Sequence, residues 1–176
     1  EKPAEPPGNL ANMGVYLFNR DVLETYLNED RVLKGSKHDF GRDILPRMVA
    51  TNLRVYAYPF AGYWIDVGTV DAYWSAHMDL LEMPPSLDLN DRTWVIHTRS
   101  EERPPVHIQA GATVIDSLIT DGSFVGNGAV VERSILSPGV YVGPGAVVRE
   151  SIVMTDSYID AGAVVERCIL DKYVFL

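Results

Sequence analysis

Cysteine is almost missing from this chain. Cys168 is the only one among 176 residues, so no disulfide can close within the chain. A reducing, cytoplasmic setting is the expectation that follows. Long apolar runs are missing as well. None comes near the roughly 20 residues needed to cross a bilayer, which argues against a membrane partner. No charged-then-apolar leader opens the chain, so nothing in it suggests secretion. Positive charge is scarce: 15 Lys and Arg face 24 Asp and Glu, for a net charge of −9. Nucleic-acid binding needs clustered Lys and Arg against phosphates, so this charge argues against nucleic acid as the main partner. A phosphorylated small molecule needs only a few local cations and stays open.

What is present is 47% hydrophobic and 22% charged, the balance of a folded globular protein. The length suits one ordinary domain or two small ones. The chain opens on "EKPAEPPGNLANMGVYLFN", a Pro-rich loop leading into an apolar segment with no earlier partner. That start reads as the middle of a domain, and so as part of a longer protein.

Residues 14 to about 82 read as mixed α and β. "GVYLFN" is a strand candidate. In "RDVLETYLNED", Val22, Leu23, Tyr26 and Leu27 fall at helical spacing. "DFGRDILPRMVATN" puts Ile44, Leu45, Met48 and Val49 on one helical face, with Pro46 early enough to be tolerated. "LRVYAYPF" alternates as a strand, with Leu53, Val55 and Ala57 on one side and Arg54, Tyr56 and Tyr58 on the other. "GYWIDVG" follows as a further strand-like run. Thr69 then has the position of an N-cap with Asp71 in the first turn, opening a helix over "VDAYWSAHMDLLE". Its apolar stripe is Val70, Tyr73, Trp74, Met78 and Leu81, and "MPPS" ends it. Residues 84–107 carry Pro pairs at both ends and no sustained period. They read as an extended linker with Trp94, Val95 and Ile96 pinned against something apolar.

From Ile108 the chain repeats every 17 residues, and four copies align without a gap: 108–124, 125–141, 142–158 and 159–175. Gly111, Gly128, Gly145 and Gly162 form one column, each followed by alanine. Leu118, Ile135, Ile152 and Ile169 form another, and Ser117, Ser134, Ser151 and Cys168 a third. Within a copy, aliphatics recur at intervals of five to six. This is the hexapeptide pattern of a parallel β-helix, with three short strands per triangular coil. Aliphatics should point inward and stack from coil to coil, with small residues at the corners. A fold class of α/β for 1–83, a linker over 84–107 and an all-β left-handed β-helix over 108–176 follows. The period alone does not fix the handedness, for which precedent among hexapeptide proteins is the ground.

The strings "EKP", "ANMGVYLF", "HDFGRDILP", "YAYPFAGYWIDVGTVDAYWSAHMDLL", "LDLNDRTWVIHT" and "VVERSILSPGVYVGPGAVVRESIVM" together resemble the glucose-1-phosphate adenylyltransferase family, in order and over nearly the whole chain. "HDFGRDILP" with "DLNDRTW" is the more specific pair; "WIDVGT" has counterparts in other sugar-nucleotide pyrophosphorylases. The resemblance implies a Rossmann-like nucleotidyltransferase domain followed by the β-helix. It implies an enzyme that joins ATP and glucose 1-phosphate into ADP-glucose and pyrophosphate, for glycogen or starch synthesis. Mg²⁺ would be the cofactor, the assembly a homotetramer, and an anionic allosteric effector the regulator. One departure is plain: the family's Gly-rich nucleotide loop with its Arg occurs nowhere in these 176 residues. The chain alone is therefore expected to be inactive.

The resemblance also assigns residues. Asp66 matches the family's metal-ligand position; by its spacing alone it reads first as a strand-end acid capping the next helix, and the resemblance reverses that order. Mg²⁺ is usually held by one or two carboxylates plus phosphate oxygens, and it stabilises charge that builds in phosphoryl transfer. Glu1 and Lys2 match the sugar-phosphate site, where an ammonium suits phosphate and a carboxylate accepts sugar hydroxyls. The alternative for them is a solvated terminal charge pair. Asn12 stands where the family usually has a sugar-contacting Ser. Asp39, with Phe40 beside it, could bond glucose hydroxyls or could cap the following helix. Trp64 could wall the sugar pocket or belong to the core. Lys172 falls where related enzymes place an effector-binding cation, and is otherwise a surface lysine. His77 and His97 carry no partner signal and are assigned nothing.

Three rivals remain at this level. A non-catalytic regulatory or assembly subunit would use the β-helix for contacts and effector binding. Another sugar-1-phosphate nucleotidyltransferase would differ in base or sugar. A hexapeptide acyltransferase would need a histidine from a coil or an inserted loop. The copies here carry no insertion, and His107 lies just before the first.

Overall fold

The computed structural model describes residues 8–98 and 101–176, which fall in two compact units, Glu1–Gly62 and Tyr63–Leu176. Glu1 and Lys2 lie outside the described residues.

In the first unit, α1 spans Arg20–Val32. Its apolar stripe holds Leu23 and Tyr26 half-buried. A π-helical turn, Phe40–Ile44, runs directly into α2, Leu45–Ala50. Pro46 sits at the start of α2, where its missing N–H breaks no helical bond. Ile44 and Met48, one helical turn apart, are both buried. Val49, expected on the same face, is 59% exposed. Five residues past Ile44 it has rotated off the buried stripe. Arg47 ties the helices together: it pairs with Glu29 at 2.7 Å and lies over the Tyr26 ring at 5.5 Å.

The strands expected over 14–19 and 53–60 and the strand-like run 62–68 do not form ladders among the described residues. No strand is assigned to them, and Tyr56 and Tyr58 stand in solvent. Alternating hydrophobicity reports which way side chains point. A ladder needs a neighbouring strand as well, and no such neighbour is among the described residues.

In the second unit, α3 spans Val70–Met78 and closes in a 3₁₀ turn, Asp79–Leu81. Thr69 caps it, its Oγ1 accepting from Ala72 N at 3.1 Å, with Asp71 in the first turn. Val70, expected on the buried stripe, is exposed. It lies at the helix's first position, before the packed turns begin. Trp94, Val95 and Ile96 were expected to be pinned, and Trp94 is 76% exposed with both neighbours also in solvent. Local bonding fixes this turn instead: Thr93 N and Oγ1 both donate to Asp91 Oδ1, at 2.8 and 2.6 Å. Nothing apolar among the described residues of this unit covers the triplet.

Twelve short parallel strands then form the β-helix, in three four-stranded sheets. One sheet stacks β1 (His107–Ile108), β4 (Phe124–Val125), β7 (Tyr141–Val142) and β10 (Tyr158–Ile159). The second stacks β2 (Thr113–Ile115), β5 (Val130–Glu132), β8 (Val147–Arg149) and β11 (Val164–Glu166). The third stacks β3 (Leu118–Ile119), β6 (Ile135–Leu136), β9 (Ile152–Val153) and β12 (Ile169–Leu170). Partners stand one repeat apart, as in Val125 against Val142 and Val131 against Val148. The core is the columns through Val131, Val148 and Val165, through Leu136 and Val153, through Val142 and Ile159, and through Ala129 and Ala146.

One aliphatic column faces the other way. Leu118, Ile135, Ile152 and Ile169 point outward and pack under Tyr73, Trp74, Met78 and Leu81 of α3 and its closing turn. Side chains alternate along a strand, and the neighbours Ile119, Leu136, Val153 and Leu170 occupy the inside. Trp74 Nε1 donates to Glu150 O at 2.8 Å, and the Arg167 guanidinium lies 5.5 Å from the Trp74 ring. The repeat thus builds a docking stripe for α3 as well as a core. The end of the linker is tied down too: Arg103 makes a two-pronged bond to Asp156, at 2.6 and 2.9 Å.

Candidate active-site residues

Asp66 stands between two fixed points. On one side, Tyr63 OH donates to Asp79 Oδ2 at 3.0 Å. Desolvation, then that carboxylate, push the phenol above its usual range, so it stays a neutral donor. On the other side, Thr69 caps α3. The capping role that Asp66 could have taken therefore belongs to Thr69. Among the described residues, the Asp66 carboxylate has no hydrogen bond and no ion pair, and it is exposed. An unengaged hard-oxygen ligand fits what Mg²⁺ asks of a protein, which is one or two carboxylates with phosphate and water completing the shell. No group of three or more His, Cys, Asp or Glu ready to hold a metal exists among the described residues. Trp64, two residues earlier, is 41% exposed and does not join the core.

In the first unit, three of the expected sugar-site residues gather in one cluster. Asn12 Nδ2 donates to Tyr16 OH at 2.7 Å, and Asn12 Oδ1 accepts from Gly14 N at 2.9 Å. The Tyr16 ring stacks on Phe40, with centroids 5.6 Å apart, and Phe18 packs against both. Asp39, next to Phe40, is an N-cap: its Oδ1 accepts from Arg42 N at 2.8 Å. That leaves its second oxygen for another donor.

The sequence reading missed the group beneath this cluster. Asp30, on α1, is 2% exposed. Its Oδ2 meets His38 Nδ1 at 2.7 Å and its Oδ1 accepts from Ser36 Oγ at 2.7 Å. Those two bonds, His38 first, hold the carboxyl below its usual range. A signal existed: Asp30 lies seven residues past Leu23 and three past Leu27, on the apolar stripe of α1.

Lys172 sits in the last coil, exposed, its side-chain ammonium without a partner among the described residues. His107 packs edge-on against Phe124, the first rung of an aromatic column through Tyr141 and Tyr158.

Comparison with known proteins finds two family models, which meet the chain on either side of residues 84–105. A family model described as "Nucleotidyl transferase" matches residues 1–83, and one described as "GlmU-like, C-terminal hexapeptide" matches residues 106–176. The chain is 50% identical over 125 residues to a glucose-1-phosphate adenylyltransferase of Halalkalibacterium halodurans, covering 71% of this chain and 33% of that protein. It is 58% identical over 125 residues to the one of Thermomicrobium roseum, covering 71% of this chain and 29% of that protein. The chain spans about a third of the length of the curated relatives it matches. It is a homologue of the glucose-1-phosphate adenylyltransferases, with a nucleotidyl transferase segment followed by a left-handed β-helix of hexapeptide repeats.

Proposed function

We propose that the whole protein of which this chain is part joins ATP and glucose 1-phosphate into ADP-glucose and pyrophosphate. The observation that carries this is 46–58% identity to glucose-1-phosphate adenylyltransferases over 125 residues. The free carboxylate of Asp66 supports it. In this reading Asp66 supplies one oxygen ligand to Mg²⁺, which would neutralise phosphate charge during in-line transfer. Asp39 offers its uncapped oxygen to a sugar hydroxyl, Phe40 borders the sugar, and Asn12 orients it through its amide. Glu1 and Lys2 complete the sugar-phosphate site. Residues 1–83 close the catalytic domain, residues 84–107 connect, and residues 108–176 form the β-helix. The β-helix supplies contacts for a homotetramer, and Lys172 receives an anionic effector. The cytoplasm is the compartment that suits these substrates.

A hexapeptide acyltransferase is the weaker reading, because the four copies carry no inserted loop and His107 packs edge-on against Phe124. The deciding experiment measures pyrophosphate release by the whole protein with ATP and glucose 1-phosphate, and with GTP and mannose 1-phosphate. Turnover with the first pair is expected. Turnover confined to the second overturns the adenylyltransferase reading.

A further inference from the structure

Beneath the Asn12–Tyr16–Phe40 cluster, a buried carboxylate holds a turn that no helix or sheet holds. His38 has φ of 57°, in the left-handed region that is costly for a residue with a side chain. Three bonds keep it there. Asp30 Oδ2 meets His38 Nδ1 at 2.7 Å, Ser36 Oγ donates to Asp30 Oδ1 at 2.7 Å, and His38 N donates to that same Ser36 hydroxyl at 3.0 Å. Arg47 NH1 stands 3.7 Å from Asp30 Oδ1, and Arg47 also pairs with Glu29. On either side of His38, Lys37 N and Asp39 N both donate to Asp43 Oδ2 at 3.2 Å. The turn therefore delivers Asp39 and Phe40 in one fixed direction.

We propose that Asp30 is a positioning residue: through His38 and Ser36 it sets the turn that presents Asp39 and Phe40 to the sugar. This rests on the proposed reaction. Asp30 does not reach substrate itself; it acts through the backbone of residues 36–40. Its engagement is with the sugar side of the reaction, so the nucleotide side should not feel it. His38 bridges the two, with its side chain 60% exposed and its ring anchored to a carboxylate 3% exposed. Removing the ring therefore frees the turn without opening a core.

The test is a double-mutant cycle in the whole protein with Asp30→Asn and His38→Ala. Each single variant is expected to raise KM for glucose 1-phosphate roughly tenfold, as loss of substrate positioning does. KM for ATP should stay within about twofold, and the double variant should be no worse than the poorer single, because both changes cut one link. An unchanged KM for glucose 1-phosphate in both, or additive effects, overturns the proposal. If Asp30→Asn does not fold, His38→Ala decides alone: a raised KM for glucose 1-phosphate supports the proposal and an unchanged one overturns it. A wild-type protein that does not use glucose 1-phosphate fails at the first assay, which separates failure of the reaction from failure of the positioning role.

Discussion

Asp66 and Thr69 are three residues apart, and the cap of α3 is Thr69. Thr69 accepts the α3 bond from Ala72 N, so Thr69→Ala should lower stability by about 1 kcal/mol, the usual cost of a lost N-cap. Thermal or urea unfolding measures it; no change would mean that another group caps α3. Asp30 gives a pH prediction. Hydrogen bonds from His38 and Ser36 lower its pKa from 3.8 in the folded state. Folding therefore favours the ionised form, and the stability this supplies is present above pH 3.8 and lost as pH falls through the lower folded value. Wild type and Asp30→Asn should differ most in unfolding midpoint above that pH and converge below it. A difference that grows in acid would contradict the sign.

At the scale of elements, each coil is joined to the next by polar as well as apolar columns. Ser151 Oγ donates to Arg149 O at 2.6 Å and accepts from Cys168 N at 3.1 Å, and Ser134 repeats the pattern one coil earlier. Ser151→Ala would leave a backbone N–H of the next coil unpaired, costing about 1–3 kcal/mol in unfolding free energy. Leu136, fully buried in the core, should cost about 2–5 kcal/mol when changed to alanine. Gly143 is required by close approach: a Cβ there would lie 2.6 Å from Ala161 N, backbone that cannot yield. Gly126 meets Pro144 N at the same 2.6 Å; the end members of that column are Gln109, in the first coil, and Asp160, in the last. Loss of far-UV signal or solubility on Gly143→Ala is the expected readout, with Asp160→Ala tolerated. The columns were legible because each recurs every 17 residues, and so were the three helices and the Thr69 cap. The direction of the Leu118–Ile169 column was not, since a strand two residues long carries no alternation to read. The segments at 14–19 and 53–60 carry the strand pattern without a ladder among the described residues for a related reason. Their pattern specifies side-chain direction, while a strand is made by its neighbour.

For the whole molecule, the chain spans about a third of its relatives' length, so the proposed reaction is one for the larger protein. The site was legible only in part. Asp39 had two readings from sequence, and the structure shows the cap at Arg42 N without touching the other. Asp30 went unseen because an acid on an apolar stripe looks like noise until its partners at 36 and 38 fold over it. Lacking the Gly-rich nucleotide loop, the 176-residue chain by itself should release no pyrophosphate from ATP and glucose 1-phosphate. The most direct test is that assay on the whole protein, wild type against Asp66→Asn, titrated with Mg²⁺. A Lewis-acid metal supplies several kcal/mol to a transition state, and each 1.36 kcal/mol is tenfold in rate. Asp66→Asn should therefore lose about 100-fold or more in kcat and need more Mg²⁺ for half-maximal rate. An Asp66→Asn enzyme with wild-type kcat and an unshifted Mg²⁺ dependence would contradict the assignment.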